Sequence, residues 1–246
     1  MISIVIPVHN AERFIEETVS SVKAQTYEDW ELLLVENGST DRSPEICRSL
    51  SEGDSRIRVV ECNGSGAAAA RNIGTISARG RYQCFLDADD IWLSTKLEKE
   101  LALCEEKQAA FVFTGYEFAD EKAHGTGKVV RVPKTISYRE ALGNTTIFTS
   151  TVMFDRNILP MHLMLMPKVD SEDTATWWQI LKAGYIGYGL DEPLTLYRRS
   201  ANTLSSNKLE ALKRTWNLYR KVEGFGVVKS LYYFVKYAVR AALRRL

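Results

Sequence analysis

Residues 2–10 read ISIVIPVHN, a run of β-branched residues that closes on Pro7 and then on the polar pair His9 and Asn10. A short apolar run without polar alternation predicts a strand buried on both faces of a parallel sheet. Apolar residues then recur at helical spacing over Ala11–Ala24, so we expect a helix to follow this strand.

The same strand–helix unit is repeated through the first half of the chain. The spacing predicts further strands and helices, in chain order, at Leu32–Val35, Ser43–Leu50, Ile57–Glu61, Ala67–Ser77, Tyr82–Leu86 and Ser94–Glu106. Four short alternations of this kind indicate an α/β fold with an open parallel sheet and right-handed crossovers.

The second half is less regular. It predicts strands at Ala110–Phe118, Lys128–Val132, Ser150–Phe154 and Leu194–Tyr197, a loop at Gly125–Gly127, a helix at Thr174–Ala183, and two or more helices beyond Lys208.

Polar clusters follow each of the first four predicted strands. They are His9–Asn10, Glu36–Asn37–Gly38, Asn63–Gly66 and Asp87–Asp90. The carboxyl ends of parallel strands share one edge of the sheet, where such folds bind their ligands. We therefore expect these four loops to form a single site.

Asp87, Asp89 and Asp90 place three carboxylates within one turn. Like charges this close resist ionisation unless a cation lies among them. Oxygen ligands suit Mg²⁺ or Mn²⁺, which proteins usually hold with one or two carboxylates and the phosphates of a substrate. The alternative is an Asp-rich helix N-cap.

Three further segments carry candidate catalytic or binding residues. Arg71 follows four alanines on a predicted helix, and it either reaches a phosphate or the carboxylates or is an ordinary surface arginine. Glu172 and Asp173 precede an apolar helix, so they either cap it or supply a general base. Arg198 or Arg199 either neutralises a diphosphate or is solvated.

Composition narrows the class of protein. The chain has 246 residues, 45% hydrophobic, with a net charge of +1. From Lys208 to Leu246 there are ten Lys/Arg against two Asp/Glu, so the net charge of this tail is about +8 and that of the remainder about −7.

The four cysteines show no metal-binding or CxxC spacing, and the three histidines are widely separated. With no signal peptide or membrane-spanning run evident, we expect a cytoplasmic location.

The ordered motifs resemble those of family 2 glycosyltransferases over about residues 1–206. They are IVIPVHN (4–10), QTY (25–27), ELLLVENGSTD (31–41), AARNIG (69–74), GRY (80–82), FLDADD (85–90), SED (171–173) with Trp178 and Gly184, and LYR (196–198). The resemblance implies a GT-A fold: a Rossmann-like, mostly parallel central sheet flanked by helices, with a C-terminal helical extension. It also implies inverting transfer of a sugar from a nucleotide-diphosphate donor, usually a UDP-sugar, with Mn²⁺ or Mg²⁺ as cofactor.

The resemblance also assigns roles to individual residues. Asp173 would be the catalytic base and Asp89 the metal ligand. The nucleotide-sugar-binding set would comprise Pro7, Val8, Glu36, Asn37, Arg71, Asp87, Ala88, Asp89 and Arg198, with Pro7 and Val8 lining the base pocket, Glu36 facing the uracil or ribose, and Asp87 near the ribose.

Two positions depart from the family pattern. Glu36–Asn37–Gly38–Ser39 replaces a frequent Asp-Asp-Gly-Ser, which lengthens the acidic arm. Ser200 stands where many members carry a histidine that ligates the metal. We therefore expect the metal to bind Asp89 together with the diphosphate and water, and weakly without the sugar donor.

The basic tail suggests how the acceptor is reached. Aromatic and aliphatic residues alternate there with Lys229, Lys236, Arg240, Arg244 and Arg245. Such helices can lie on an anionic membrane, whereas the alternatives are packing on the domain or a homodimer contact. The resemblance favours a saccharide acceptor linked to polyprenyl diphosphate, at the inner face of the membrane, in bacterial surface-polysaccharide synthesis. No nucleic-acid-binding motif is evident.

The predicted domain organisation is a catalytic domain at 1–206 and basic amphipathic helices at 207–246. Within the catalytic domain, 1–108 would bind the nucleotide sugar and 109–206 the acceptor. Two alternative functions remain open: a nucleotidylyltransferase, which should carry a Gly-rich loop after its first strand, and a non-catalytic nucleotide-binding relative.

Overall fold

One ten-stranded sheet organises the computed structural model, which describes residues 1–144, 146–199 and 208–243. The strands are β1 Ile2–Val8, β2 Trp30–Glu36, β3 Ile57–Glu61, β4 Tyr82–Phe85, β5 Ile91–Trp92, β6 Phe111–Ala119, β7 Gly125–Val130, β8 Thr135–Ile136, β9 Val152–Asp155 and β10 Gly187–Arg198.

Helices cover both faces of this sheet and form the C-terminal extension. They are α1 Ile15–Lys23, α2 Ser43–Gly53, α3 Ala67–Ser77, α4 Lys96–Lys107, α5 Tyr138–Ala141, α6 Met161–Met164, α7 Glu172–Lys182, α8 Lys208–Asn217 and α9 Val227–Leu243. A 3₁₀ turn spans Thr149–Thr151, and a π-helical turn spans Leu218–Val222.

The first four strands confirm the predicted parallel arrangement. Their spatial order is β3-β2-β1-β4, and every pair among them is parallel. The chain moves outward from β1 to β3 and then returns to the other side of β1. This reversal opens a crevice between β1 and β4 at their carboxyl ends, which is where sheets of this type bind ligands.

The second half makes the sheet mixed. β9 runs antiparallel to β4 and β6, whereas β10 pairs with β6 in parallel. The prediction of a short strand at Leu194–Tyr197 was wrong in length, because β10 extends from Gly187 across two register shifts that interrupt its apolar pattern. Gly125–Gly127 was predicted as a loop but begins β7, where pairing with β6 outweighs the weak strand preference of glycine.

One predicted helix begins later than expected because a local turn precedes it, whereas another is confirmed. Helix α1 starts at Ile15 instead of Ala11, since the Ala11 carbonyl accepts the amides of Phe14 and Ile15 in a turn. The predicted helix Ala67–Ser77 is confirmed at both ends as α3.

Helix α3 lies unusually close to the sheet. A Cβ added at Gly74 would lie 2.2 Å from Val5 Cγ1 and 3.1 Å from Val35 Cγ2, so only glycine fits at this contact. Ala70 on the same helix is fully buried. This close approach carries Arg71, one residue further along, toward the crevice between β1 and β4.

Candidate functional site

A cavity of about 600 Å³ opens at the carboxyl ends of β1 and β4. We call it the donor cavity, after the nucleotide-sugar donor that the family resemblance leads us to expect at this edge of the sheet. All four predicted polar loops contribute directly to its wall, together with the start of α3. Its lining residues are Pro7, Val8, His9, Asn10, Ala11, Phe14, Asn37, Gly64, Ser65, Gly66, Ala67, Arg71, Asp87, Ala88 and Asp89.

The loops that form the wall are tied to one another. Asn37 Nδ2 donates to the Gly66 carbonyl at 3.2 Å, and His9 Nδ1 lies 2.9 Å from the Asn37 carbonyl, to which it donates. Gly66 adopts a φ of +86°, a left-handed conformation that glycine permits at the entrance to α3. The expected convergence of the polar loops on one edge therefore holds, even though the loops follow different strands.

Glu36 is placed differently from the expectation. Its carboxylate turns back and accepts the Gly38 amide at 3.1 Å and the Ser39 amide at 2.6 Å, and it does not line the donor cavity. Burial acts to raise the pKa of Glu36, but hydrogen bonds from the Ser39 hydroxyl and from the Ser39 and Gly38 amides outweigh it, so the pKa of Glu36 is lowered. The structure therefore does not place Glu36 toward a base or ribose in the donor cavity, as predicted. Its side chain, one methylene longer than that of aspartate, instead reaches the turn that follows β2.

Arg71 is the buried centre of a charge network. Its Nη2 donates to Asp87 Oδ1 at 2.5 Å, and its Nη1 donates to Glu172 Oε1 at 3.0 Å. Burial opposes the charge of Arg71, but Asp87, Glu172 and Asp173 outweigh that effect and raise its pKa. The interpretation of Arg71 as an ordinary surface residue is wrong. Through Arg71, the start of α7 is held against the acidic wall of the donor cavity.

The three carboxylates of the DADD segment have separate environments, contrary to the predicted shared cation cluster. Asp87 pairs with Arg71. Asp90 is fully buried, accepts the Ser150 hydroxyl at 2.6 Å and the Arg198 amide at 3.1 Å, and has a raised pKa because of burial and its acidic neighbours. The helix-cap alternative is also wrong, since this segment leads into β5 and α4 begins only at Lys96.

Asp89 also lines the donor cavity. Unlike Asp87 and Asp90, its carboxylate has no side-chain partner among the described residues. Burial, and then the charge of Asp87, raise the pKa of Asp89 to about 6. Across the ranges 1–144, 146–199 and 208–243, no group of three or more His, Cys, Asp or Glu side chains is arranged to hold a metal ion. The position of Ser200 lies outside these described residues.

Arg198 holds the loop that carries Asp89. Its guanidinium donates to the Asp89 carbonyl at 2.7 Å, to the Glu121 carbonyl at 2.8 Å and to the Glu17 carboxylate at 2.7 Å, and it stacks over Phe14 at 4.6 Å. It is 3% exposed and does not line the donor cavity. Arg198 is therefore not placed to contact a nucleotide sugar in the donor cavity, contrary to the expectation. Its guanidinium instead donates hydrogen bonds that hold the loop carrying Asp89.

Asp173 stands in the first turn of α7. Thr149 Oγ1 donates weakly to its Oδ2 at 3.4 Å, while the Thr174 amide donates to its Oδ1 at 2.6 Å. Burial and the adjacent Glu172 raise the pKa of Asp173. The preceding Ser171 has a φ of +60°, and its side chain accepts no capping hydrogen bond from the first turn of α7. The alternative of a simple helix cap is therefore not observed at Ser171.

Two residues of the site, Phe14 and Ser150, were not among the predicted ones. His9 was expected at this edge of the sheet without an assigned role, and it lines the donor cavity together with Phe14. Ser150 accepts the Asp87 amide at 3.0 Å while donating to Asp90. The position of His9 directly after β1 was a usable signal, whereas Ser150 lies far away in sequence and is brought to the site by β9.

The fold resembles solved GT-A glycosyltransferases at low sequence identity. A mannosyltransferase from Pyrobaculum calidifontis, solved with GDP-mannose and Mn²⁺, aligns with a TM-score of 0.74 at 18% identity over 98% of this chain and 73% of that one. Staphylococcus aureus TarS (residues 1–349), solved with UDP-GlcNAc, aligns with a TM-score of 0.69 at 16% identity over 96% of this chain and 71% of that one. The GT-A fold is thereby confirmed.

Sequence comparison identifies the family. The model of glycosyl transferase family 2 matches residues 3–159. A putative teichuronic acid biosynthesis glycosyltransferase of Bacillus subtilis, TuaG, is 40% identical over 100% of this chain and 98% of its own length. The Escherichia coli enzyme WfgD, named as a UDP-Glc:α-D-GlcNAc-diphosphoundecaprenol β-1,3-glucosyltransferase, is 35% identical over 97% and 92%. The chain belongs to glycosyltransferase family 2 and is a glycosyltransferase, which excludes the nucleotidylyltransferase alternative.

Proposed function

We propose that this glycosyltransferase moves a sugar from a UDP-sugar to a hydroxyl of a saccharide linked to a polyprenyl diphosphate, with inversion at the anomeric carbon. The observation that carries the proposal is the Arg71 bridge. Asp87 on the donor cavity and Glu172 beside Asp173 bind the same guanidinium. A buried carboxylate suited to proton abstraction is thus held next to a cavity suited to a nucleotide sugar.

The donor cavity has a suitable size and lining for the nucleotide sugar. Its volume of about 600 Å³ lies within the range of roughly 300–1,000 Å³ usual for small-molecule sites. We assign the base and ribose to the wall formed by Pro7, Val8 and Asn37, and the diphosphate to the side of Asp87, Ala88 and Asp89. Arg71, already shared by two carboxylates, positions Asp87 instead of carrying a free charge for phosphate.

The residues at the acidic side fit a divalent cation held together with the donor. Asp89 faces the cavity with its carboxylate partly desolvated, and a bound cation would favour its ionised form. Mn²⁺ or Mg²⁺ would bind Asp89, with further oxygen ligands from the diphosphate and water. Such an ion supplies charge neutralisation for the leaving diphosphate.

Asp173 serves as the base in this proposal. As the acceptor hydroxyl oxygen bonds to the anomeric carbon, Asp173 takes the hydroxyl proton, and the bond from that carbon to the diphosphate oxygen breaks. The raised pKa of Asp173 makes its carboxylate a stronger proton acceptor than an exposed aspartate. Attack opposite the leaving group inverts the anomeric configuration.

The acceptor assignment draws on relatives and on the tail. WfgD and another E. coli relative, WfaP, 33% identical over 90% of this chain, are both named for a GlcNAc-diphosphoundecaprenol acceptor. No helix within the described part of this chain is long and apolar enough to cross a membrane. We propose that the catalytic domain at 1–206 is brought to the inner face of the membrane by the helices of 207–246.

Helix α9 has the surface needed for this role. Tyr233 and Phe234 pack inward against Tyr219 and Trp216. On the opposite side, an apolar face remains exposed at Val228, Leu231, Val235 and Val239, spaced along one side of the helix. Lys229, Lys236 and Arg240 flank it, whereas Arg244 and Arg245 lie outside the described residues. An apolar face edged by cations is typical of helices that lie in an anionic membrane surface.

The direct test supplies UDP-sugars with Mn²⁺, a GlcNAc-diphosphate-lipid acceptor, and the purified full chain, and measures UDP release. We expect acceptor-stimulated release by the wild type. Asp173→Asn should retain affinity for UDP yet lose transfer by about 10²–10⁴-fold, the contribution typical of a general base. Glu52→Gln, on the exposed surface of α2, is the matched control and should transfer normally. Unimpaired transfer by Asp173→Asn would contradict the assigned base.

A further inference from the structure

A second cavity of about 490 Å³ adjoins the donor cavity. We call it the acceptor cavity. The two cavities share Ser65, Gly66 and Ala67 at the start of α3. The far wall of the acceptor cavity comes from the loop before α7 and from the π-helical turn Leu218–Val222. It therefore lies between the donor cavity and the C-terminal helices.

Two lysines from different segments line the acceptor cavity. Lys168 belongs to the loop before α7, and Lys221 belongs to the π-helical turn. Both lysines are exposed, and neither forms an ion pair with an acidic side chain in the described part of the chain. Of the two carboxylates in the lining, Glu172 is bound by Arg71, which leaves Asp170 to oppose two cations. The balance favours an anionic ligand.

The acceptor cavity also has an apolar side. Val169 and Val222, each 37% exposed, lie beside the two lysines in sequence and line the same cavity. Val222 is separated by only four residues from Val227, where α9 begins with an exposed apolar surface. A ligand with an anionic group at the lysines and a lipid chain at the valines would continue toward the proposed membrane face.

Asp173, the proposed base, is close to the acceptor cavity. Glu172 lines it and is the immediate neighbour of Asp173. A saccharide at the junction of the two cavities would offer its hydroxyl to Asp173 while its anomeric substituent points away from the donor cavity. In a saccharide linked to a lipid diphosphate, that substituent is the diphosphate.

We infer that the acceptor cavity binds the diphosphate group of the lipid-linked acceptor, with Lys168 and Lys221 neutralising its charge and Val169 and Val222 contacting the first part of the lipid. This inference rests on the proposed function, because it assumes transfer to a lipid diphosphate saccharide. Lys168 and Lys221 bind substrate in this inference and take no part in the bond-making step.

The test measures binding of geranyl diphosphate, a short lipid diphosphate without sugar, to the full chain saturated with UDP and Mn²⁺, by calorimetry. Lys168→Gln and Lys221→Gln should each weaken binding about tenfold, since each removes a charge-assisted hydrogen bond to the diphosphate. The double variant should lose more than either. Lys213→Gln, an exposed lysine of α8 outside the cavity, is the matched control.

The outcomes separate this inference from the proposed function. Absence of binding by the UDP-loaded wild type, equal binding by the double variant, or displacement of UDP by geranyl diphosphate would overturn the inference. UDP-sugar hydrolysis without acceptor, measured in the same proteins, should be unchanged by the lysine substitutions. If no UDP-sugar is hydrolysed or used in transfer by the wild type, the proposed function fails; if hydrolysis proceeds and the lysines prove irrelevant, the inference alone fails.

Discussion

At the residue scale, two arginines show how little residue type alone decides. Arg71 and Arg198 are both nearly fully buried, and both serve the segment Asp87–Asp90. Arg71 binds the carboxylate of Asp87, whereas Arg198 binds the backbone carbonyl of Asp89. One joins two parts of the site by charge, and the other fixes a loop. The sequence motif marks both positions but does not distinguish these roles.

Gly74 permits the close contact between α3 and the sheet, and its replacement should be costly. A Cβ at Gly74 would overlap Val5, so Gly74→Ala should lower the free energy of unfolding by about 1–3 kcal/mol, the usual cost of overpacking. Chemical denaturation measures this change. Gly53→Ala, at the end of α2 with no atom within 4 Å of the added Cβ, is the control and should be neutral or stabilising. Equal stability of the two variants would contradict the packing argument.

At the element scale, a segment was predicted correctly when local signals determine its structure, and it was missed when pairing with a distant strand does. α3 was predicted at both ends because its alanine run, glycine and flanking turn are local signals. The first half of β7 and most of β10 were missed because their residues are strands only through pairing with β6. Helix α9 was expected to be amphipathic, but only its packing shows which aromatic residues point inward.

The exposed face of α9 predicts measurable membrane binding. Replacing Val228 and Leu231 together by serine should weaken partitioning to anionic liposomes by about tenfold or more, because burial of each exposed aliphatic side chain in the membrane contributes on the order of 1 kcal/mol. Liposome cosedimentation measures this. Ile76→Ser, which removes an exposed aliphatic side chain from α3, is the control. Unchanged partitioning would contradict the membrane proposal, and a loss of dimers on sizing would instead indicate a homodimer contact.

At the scale of the whole molecule, the two cavities share one wall, and the proposed base lies beside it. The donor cavity is formed mainly by the parallel half of the sheet. The acceptor cavity depends on the loop before α7 and on the C-terminal turn. Arg71 binds Asp87 on one cavity and Glu172 on the other, so the proposed donor and acceptor sites share one connected charge network.

Binding of UDP and of metal should be mutually dependent across this molecule. Since Asp89 offers a single carboxylate to the donor cavity, Mn²⁺ with UDP should raise the melting temperature more than the sum of the separate effects. Thermal denaturation with each ligand and with both measures this, and chelation with EDTA should abolish transfer. Asp89→Asn should remove the synergy, whereas Glu52→Gln should keep it. Tight binding of Mn²⁺ without UDP would contradict a metal held jointly with the diphosphate.

The sequence by itself determined the fold class, the family and the edge of the sheet where the cavity of the proposed donor site lies. Strand–helix alternation is a local pattern, and parallel strands bring their carboxyl ends together whatever the details of packing. The motif residues Pro7, Val8, Asn37, Arg71, Asp87, Ala88 and Asp89 were therefore brought to one cavity as expected.

Only the tertiary structure decided what the charged groups do there. Whether Glu36 faces a ligand or its own turn, whether Asp90 is buried beside Ser150, and whether Arg198 faces the cavity or the Asp89 carbonyl all depend on partners distant in the chain. The acceptor cavity likewise joins residues 65–68, 168–172 and 217–222. Charge pairing acts through space over a few ångströms, and sequence spacing does not specify those distances.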